Sequence, residues 1–367
     1  MSDGILTSGI QYVGSTGTGT FTQTGGINTI SSTLFLGTNP GSSGTYNLNG
    51  GTLSLRSINK GSGTAAFNFG GGMLQANGGF TTSLPMTLRG NGSDANINTA
   101  NNAVTFSGVL SGAGGLNKFG SGTLTLSGSN TYSGGTAIYG GYIAASSIRN
   151  LGSGSLTFDG GGLTFNSVFD PSSLGITISS GGAIFNTSYT STITLSNAIS
   201  GAGGITKIGN ATLILGGANT YAGGTIVSAG FIQLGNASAL GSGGLTFINS
   251  GCKVNLNSYA INLPSLSGTG GTITDSSSGS GTTVLTITNS LSSLFAGVIQ
   301  DGSYKKIAFN KSGTGILTLS GKNTYSGETD INAGTLVVNG SLQYNGGSVV
   351  VNNSGILGGT GLGFVKK

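Results

Sequence analysis

The sequence predicts an all-β chain wound into a single β-solenoid, and three observations lead there. Short alternations of apolar and polar residues end repeatedly in Gly or Asn, one string of residues recurs three times, and the composition is extreme. Among 367 residues there are 74 glycines, and only 6% of the chain is charged. Ordinary globular domains carry roughly 7% Gly and about 25% charged residues.

The strands come first. In the stretch "GTLTLSG", Leu124 and Leu126 fall on one face and Thr123 and Thr125 on the other. "ATLILGG" and "GILTLSG" keep the pair as Leu213/Leu215 and Leu317/Leu319. A period of two marks a half-buried strand. No stretch shows a helical period, and Glu and Lys are scarce. Four prolines fit a backbone whose amides are consumed in ladders.

Repeats organise the strands. Lys118, Lys207 and Lys311 stand at the same distance before an Asn-Thr-Tyr, at Asn130, Asn219 and Asn323. A second marker, "LGSGSLTF" at Leu151 and "LGSGGLTF" at Leu240, returns after 89 residues. The chain therefore divides into short-repeat coils over 1–60, a first unit over 61–151, a second over 152–240, and a third with diverged terminal coils over 241–367. Within these, Phe21, Tyr46 and Phe67 sit 25 and 21 residues apart in similar strands closed by glycines. A period of 20–25 residues with short strands and Gly/Asn corners is what one solenoid coil requires.

The composition follows from that winding. Each residue of a solenoid lies ~4.8 Å from its equivalent in the next coil. Stacked like charges repel, whereas stacked Thr, Ser and Asn hydrogen-bond, so outward faces lose charge and gain small polar residues. Such a fold ends in open strand edges.

Several functions are excluded or disfavoured at this stage. The formal charge of +5 comes from scattered residues, not from a basic stripe, so no nucleic-acid partner is expected. No apolar run approaches the ~20 residues of a membrane span. The sequence "MSDGILTSGIQYVG" lacks the basic-then-apolar pattern of a signal peptide. With no His and one Cys, His-dependent triads, His or thiolate metal sites and internal disulfides are ruled out. No cofactor or metal is expected. Cys252, in "SGCKVNLN", reads as a structural thiol on a strand.

The pattern K-x-G-x-G-x-L-x-L-S-G-x-N-T-Y-x-G-x-T resembles the autotransporter-associated β-strand repeat, also called the passenger-associated transport repeat. Its copies run from Lys118 to Thr136, Lys207 to Thr225 and Lys311 to Thr329. The third departs from the pattern, with Glu328 where the others have Gly135 and Gly224. The resemblance implies a secreted or surface-displayed bacterial protein whose passenger is a right-handed parallel β-helix. It does not specify a ligand.

Three sets of residues are candidate sites. Tyr132, Tyr221 and Tyr325 recur once per unit; exposed, they would stack on sugar rings along the molecule, and packed over corners they would be structural. The recurring lysines need no more than a structural reading. Glu328 and Asp330 are the one close acidic pair, on a common face if the segment is a strand. Such a pair suits glycoside hydrolysis or calcium, or is simply a solvated corner.

The function expected from all this is an extracellular, non-enzymatic structural or adhesive solenoid. It would serve as a surface stalk or fibre subunit, self-associating laterally or end to end into filaments and meeting surface glycans. A polysaccharide lyase or hydrolase, or a glycan-binding module, on the same fold is the competing expectation.

Overall fold

The computed structural model describes residues 1–90, 93–189, 191–343 and 347–361. The chain forms two compact bodies, Met1–Ala183 and Ile184–Lys367. Each is built as a parallel β-solenoid with a coil of about 21 residues and almost no helix, as the composition predicts.

In the N-terminal body, Thr18–Leu36 lies parallel to Ser43–Lys60, which pairs in turn with Thr64–Phe69 and Met73–Ala76. Parallel neighbours need a long crossover, and one full coil supplies it. The register brings Phe21 beside Tyr46 and Tyr46 beside Phe67, with ring centroids 5.1 and 5.4 Å apart and the planes nearly parallel. These are the residues whose spacing first suggested coils. Further along, Ala95, Leu116, Thr136, Leu156 and Ile176 form one inward column. Val104, Leu124, Ile143 and Leu163 form another. Two 3-10 turns, Ile148–Leu151 and Ser172–Leu174, are the only helical segments among the described residues.

The C-terminal body repeats the scheme. Ile193, Leu213, Ile232, Val254, Ile273 and Ile299 stack in register. Leu317, Leu336 and Leu357 stack toward the last described strand, Val349–Gly358. The predicted inward pairs are buried: Leu124/Leu126, Leu213/Leu215 and Leu317/Leu319 expose 1% or less. The third sequence unit runs past Gly361, the last described residue.

Outward columns confirm the stacking of like polar residues. Asn68 donates to Asn47 at 2.8 Å, Asn117 to Asn96 at 3.1 Å and Asn332 to Asn310 at 2.8 Å. Thr246 and Ser267 share a hydrogen bond of 2.9 Å. Lysines or glutamates at the same positions would face one another one coil apart, which accounts for the low charge.

Candidate functional site: the stapled corners of the repeat

The recurring string folds as a strand, a corner and a second short strand, and its polar residues point inward. Lys118 is fully buried. Its Nζ donates to the carbonyls of Phe119 at 2.8 Å, Gly120 at 2.9 Å and, one coil on, Gly140 at 3.1 Å. Lys207 repeats this with Ile208 at 3.1 Å, Gly209 at 2.6 Å and Ala229 at 3.1 Å. Lys311 reaches Gly313 and, at 3.2 Å, Ala333. Gly120 and Gly209 have φ of 80° and 82°, the left-handed turn that directs the corner carbonyls at the ammonium. Burial pulls both Lys118 and Lys207 down to about 8, so at neutral pH they remain cations held by carbonyls. Burial lowers Lys311 as well.

Asn130 and Asn219 each join three successive coils through their side chains. Asn130 Oδ1 accepts from the Leu110 amide at 2.8 Å, and its Nδ2 donates to the Asn150 carbonyl at 2.5 Å. Asn219 bridges Ile199 at 2.8 Å and Ala239 at 2.6 Å. Asn323 accepts from Ile299 at 2.9 Å, but its Nδ2 turns to Gly321 at 3.1 Å instead of a following coil.

The tyrosines and the closing threonines complete the corner. Tyr132 and Tyr221 are fully buried and Tyr325 is 3% exposed. Their hydroxyls bond Thr136, Thr225 and Thr329 at 2.5, 2.6 and 2.8 Å. Thr136 and Thr225 donate onward to Leu151 and Leu240 of the next coil. Gly152 and Gly241 follow those leucines, and a Cβ on either would lie 2.7–2.8 Å from the tyrosine ring of the coil before. The two sequence markers are thus two halves of one contact: "LGSG" is the glycine floor on which the ring of "NTY" rests. The tyrosines present no exposed face for stacking on a sugar; they pack over corners.

The geometry agrees with what the chain resembles. The profile of the family described as Passenger-associated-transport-repeat matches residues 116–145, 205–234 and 309–338, the three stapled corners. Three stretches of the chain are thus similar to the passenger-associated transport repeat. A curated relative, the adhesin BmaC autotransporter of Brucella suis biovar 1 (strain 1330), is 34% identical over 148 residues. The alignment covers 40% of this chain and 4% of that protein, so the chain spans a small part of the relative's length. No solved structure matches the chain.

Beyond the repeat motifs, the chain places Glu328 and Asp330 on one outward face, on either side of the buried Thr329. Glu328 accepts from Ser348 Oγ at 2.9 Å, and Asp330 stands in register between Asn310 and Val350. Cys252 is a buried free thiol. Among the described residues, no three of His, Cys, Asp and Glu gather as metal ligands, and no helix is long and apolar enough to cross a membrane.

Two features escaped the sequence. Asp275 is fully buried, where its carboxylate accepts from the amides of Ser258 and Ser277 and the hydroxyls of Ser277 and Thr283. Burial alone would raise this carboxyl; the four donors outweigh it and hold the group below the usual carboxylate range. The second is a pair of surface grooves. One is in the N-terminal body, beside Arg56, Gln75 and Asn102, and the other is in the C-terminal body, between Pro264 and Leu294.

Proposed function

We propose that the chain is an adhesive, non-enzymatic segment of a bacterial surface or secreted passenger, in which the β-solenoid holds binding surfaces away from the cell. The observation that carries this reading is the stapled corner, repeated three times, in a chain similar to part of a protein named as an adhesin. Buried lysine, asparagine and tyrosine side chains lock each corner to its neighbours and leave the outer faces free to vary. Beads coated with the purified chain should hold to cultured epithelial cells more firmly than albumin-coated beads of equal density. Equal retention would overturn the reading.

A finer proposal concerns self-association. The last described strand, Val349–Gly358, reads "VVVNNSGILG", with no charge and no proline, and Val351 and Ile356 are 47% and 59% exposed. Asn352 extends the ladder from Asn310 through Asn332. At the other edge, Ile5, Ile10 and Tyr12 are exposed on or beside the strands Ile5–Ser8 and Gln11–Val13. Among the described residues these strands pair on one side only, and an uncharged strand edge is a template for another strand, which a second copy of the chain supplies. Electron microscopy of the concentrated chain should show filaments, and Ser354→Pro should abolish them. Single particles at every concentration would sink the proposal.

A further inference from the structure

The coils of the C-terminal body are not all equal. Pro264 and Ser265 alone connect the strands Ile261–Leu263 and Leu266–Gly268. The matching corner of the next coil, between Gly281–Ile287 and Ser293–Phe295, is longer and runs from Thr288 to Ser292. The strands still pair, Ile261 with Leu285 and Gly268 with Phe295, so the surplus residues bulge outward. Leu291 at the tip is 80% exposed and Leu294 is 51% exposed.

Between the short corner and the bulge lies a groove of about 580 Å³, bordered by Ser265, Ser267, Ser290, Ser292 and the two leucines. Two more of its residues are unsatisfied. Asn289 is fully buried; its Nδ2 donates to the Leu291 carbonyl at 2.7 Å and the Ile316 carbonyl at 2.9 Å, while its Oδ1 has no partner. Ser293 Oγ is buried and equally unpaired. An orphaned buried polar atom costs about 1–3 kcal/mol, and native structures retain few of them. Two beside one groove mark a place where an incoming donor would be rewarded.

We propose that this groove binds a neutral carbohydrate, which deepens and rests on the adhesive reading above. The lining contains no ionisable side chain, so neither a phosphate, a uronate nor a cation meets an opposite charge there. Serine hydroxyls both give and accept hydrogen bonds, and Asn289 Oδ1 is left to accept one, matching a polyol, whose hydroxyls do both. Leu291 and Leu294 offer the apolar surface that the C–H face of a pyranose ring covers. The volume lies within the ~300–1,000 Å³ range of ligand sites. A sugar hydroxyl entering between the bulge and Pro264 would donate to Asn289 Oδ1 once the loop yields enough to admit it.

Calorimetric titration of the full chain with cellohexaose, maltohexaose and laminarihexaose, beside a galacturonic acid hexamer, tests the assignment. At least one neutral oligomer should bind saturably at millimolar or lower concentration, and the acidic one should not. Leu291→Asp combined with Leu294→Asp, at exposed positions whose change leaves the circular dichroism unaltered, should weaken binding by about tenfold or more. Absence of neutral binding, equal binding by the double variant, or preference for the acidic hexamer would each overturn it. Coated beads separate the two proposals. If cell retention persists without sugar binding, the groove assignment fails and the adhesive reading stands; if sugar binding persists without retention, the reverse holds.

Discussion

Asn219→Asp should destabilise the C-terminal body at neutral pH by about 3 kcal/mol and recover much of that loss in acid. The native amide accepts from Ile199 with one atom and donates to Ala239 with the other. A carboxylate keeps the first bond but turns an oxygen toward the Ala239 carbonyl, burying a charge against an acceptor at a site that is 3% exposed. Protonation restores a donor, so the folded state should hold its proton to a higher pH than the unfolded chain, whose Asp titrates near ~3.9. Where the folded state binds more protons, stability falls as pH rises. The variant should therefore approach wild type below about pH 4 and lose stability above it. Urea unfolding at pH 4 and pH 7 measures the difference. A penalty that does not depend on pH would show that the amide is not held between the Ile199 amide and the Ala239 carbonyl.

What the sequence made legible was whatever depends on period. Leu124, Leu213 and Leu317 were placed inward because alternation fixes the face of a strand, and Phe21, Tyr46 and Phe67 were placed together because coil length fixes register. Corners obey neither rule. Lysine is almost never fully buried, so nothing in its type announces that Lys118 lies inside. The available signal was the repeated K-x-G-x-G: two residues on, Gly120 and Gly209 take positive φ and turn a carbonyl onto the ammonium. The tyrosine had a signal too, in the glycines Gly152 and Gly241 that return one coil later with "LGSG". Asp275 had none, since it belongs to no repeat and its donors come from three separate segments around Ser258, Ser277 and Thr283. The groove was foreshadowed by length alone: Asn323 follows Asn219 by 104 residues where Asn219 follows Asn130 by 89. Some of that excess is the bulge at Leu291.

The buried lysines give the protein an unusual stability profile in alkali. An unfolded lysine keeps its proton to about 10.4, whereas burial lets Lys118 and Lys207 release theirs near 8. Between these values the unfolded chain binds more protons than the folded one, so stability should rise as pH climbs from about 8 toward 10. The tyrosines act in the opposite sense. Burial raises Tyr46, Tyr132, Tyr221 and Tyr325 despite hydrogen bonds that lower them, so they stay protonated when an unfolded tyrosine ionises near ~10. Above that pH stability should fall, and the profile should pass through a maximum near ~10. In the combined Lys118→Met and Lys207→Met variant the rise should shrink to the part that Lys311 supplies, and the fall should remain. Lys207→Ala tests the other half of the arrangement at neutral pH. It leaves the carbonyls of Ile208, Gly209 and Ala229 without their donor and a void where the stem lay, a loss of about 3 kcal/mol or more. Lys207→Met, which keeps the stem's volume and removes the buried charge with the donor, should lose less. Chemical denaturation at steps of pH follows both effects. A profile unchanged by removing the two lysines would mean that their ammonium groups meet water and are not held inside the corners.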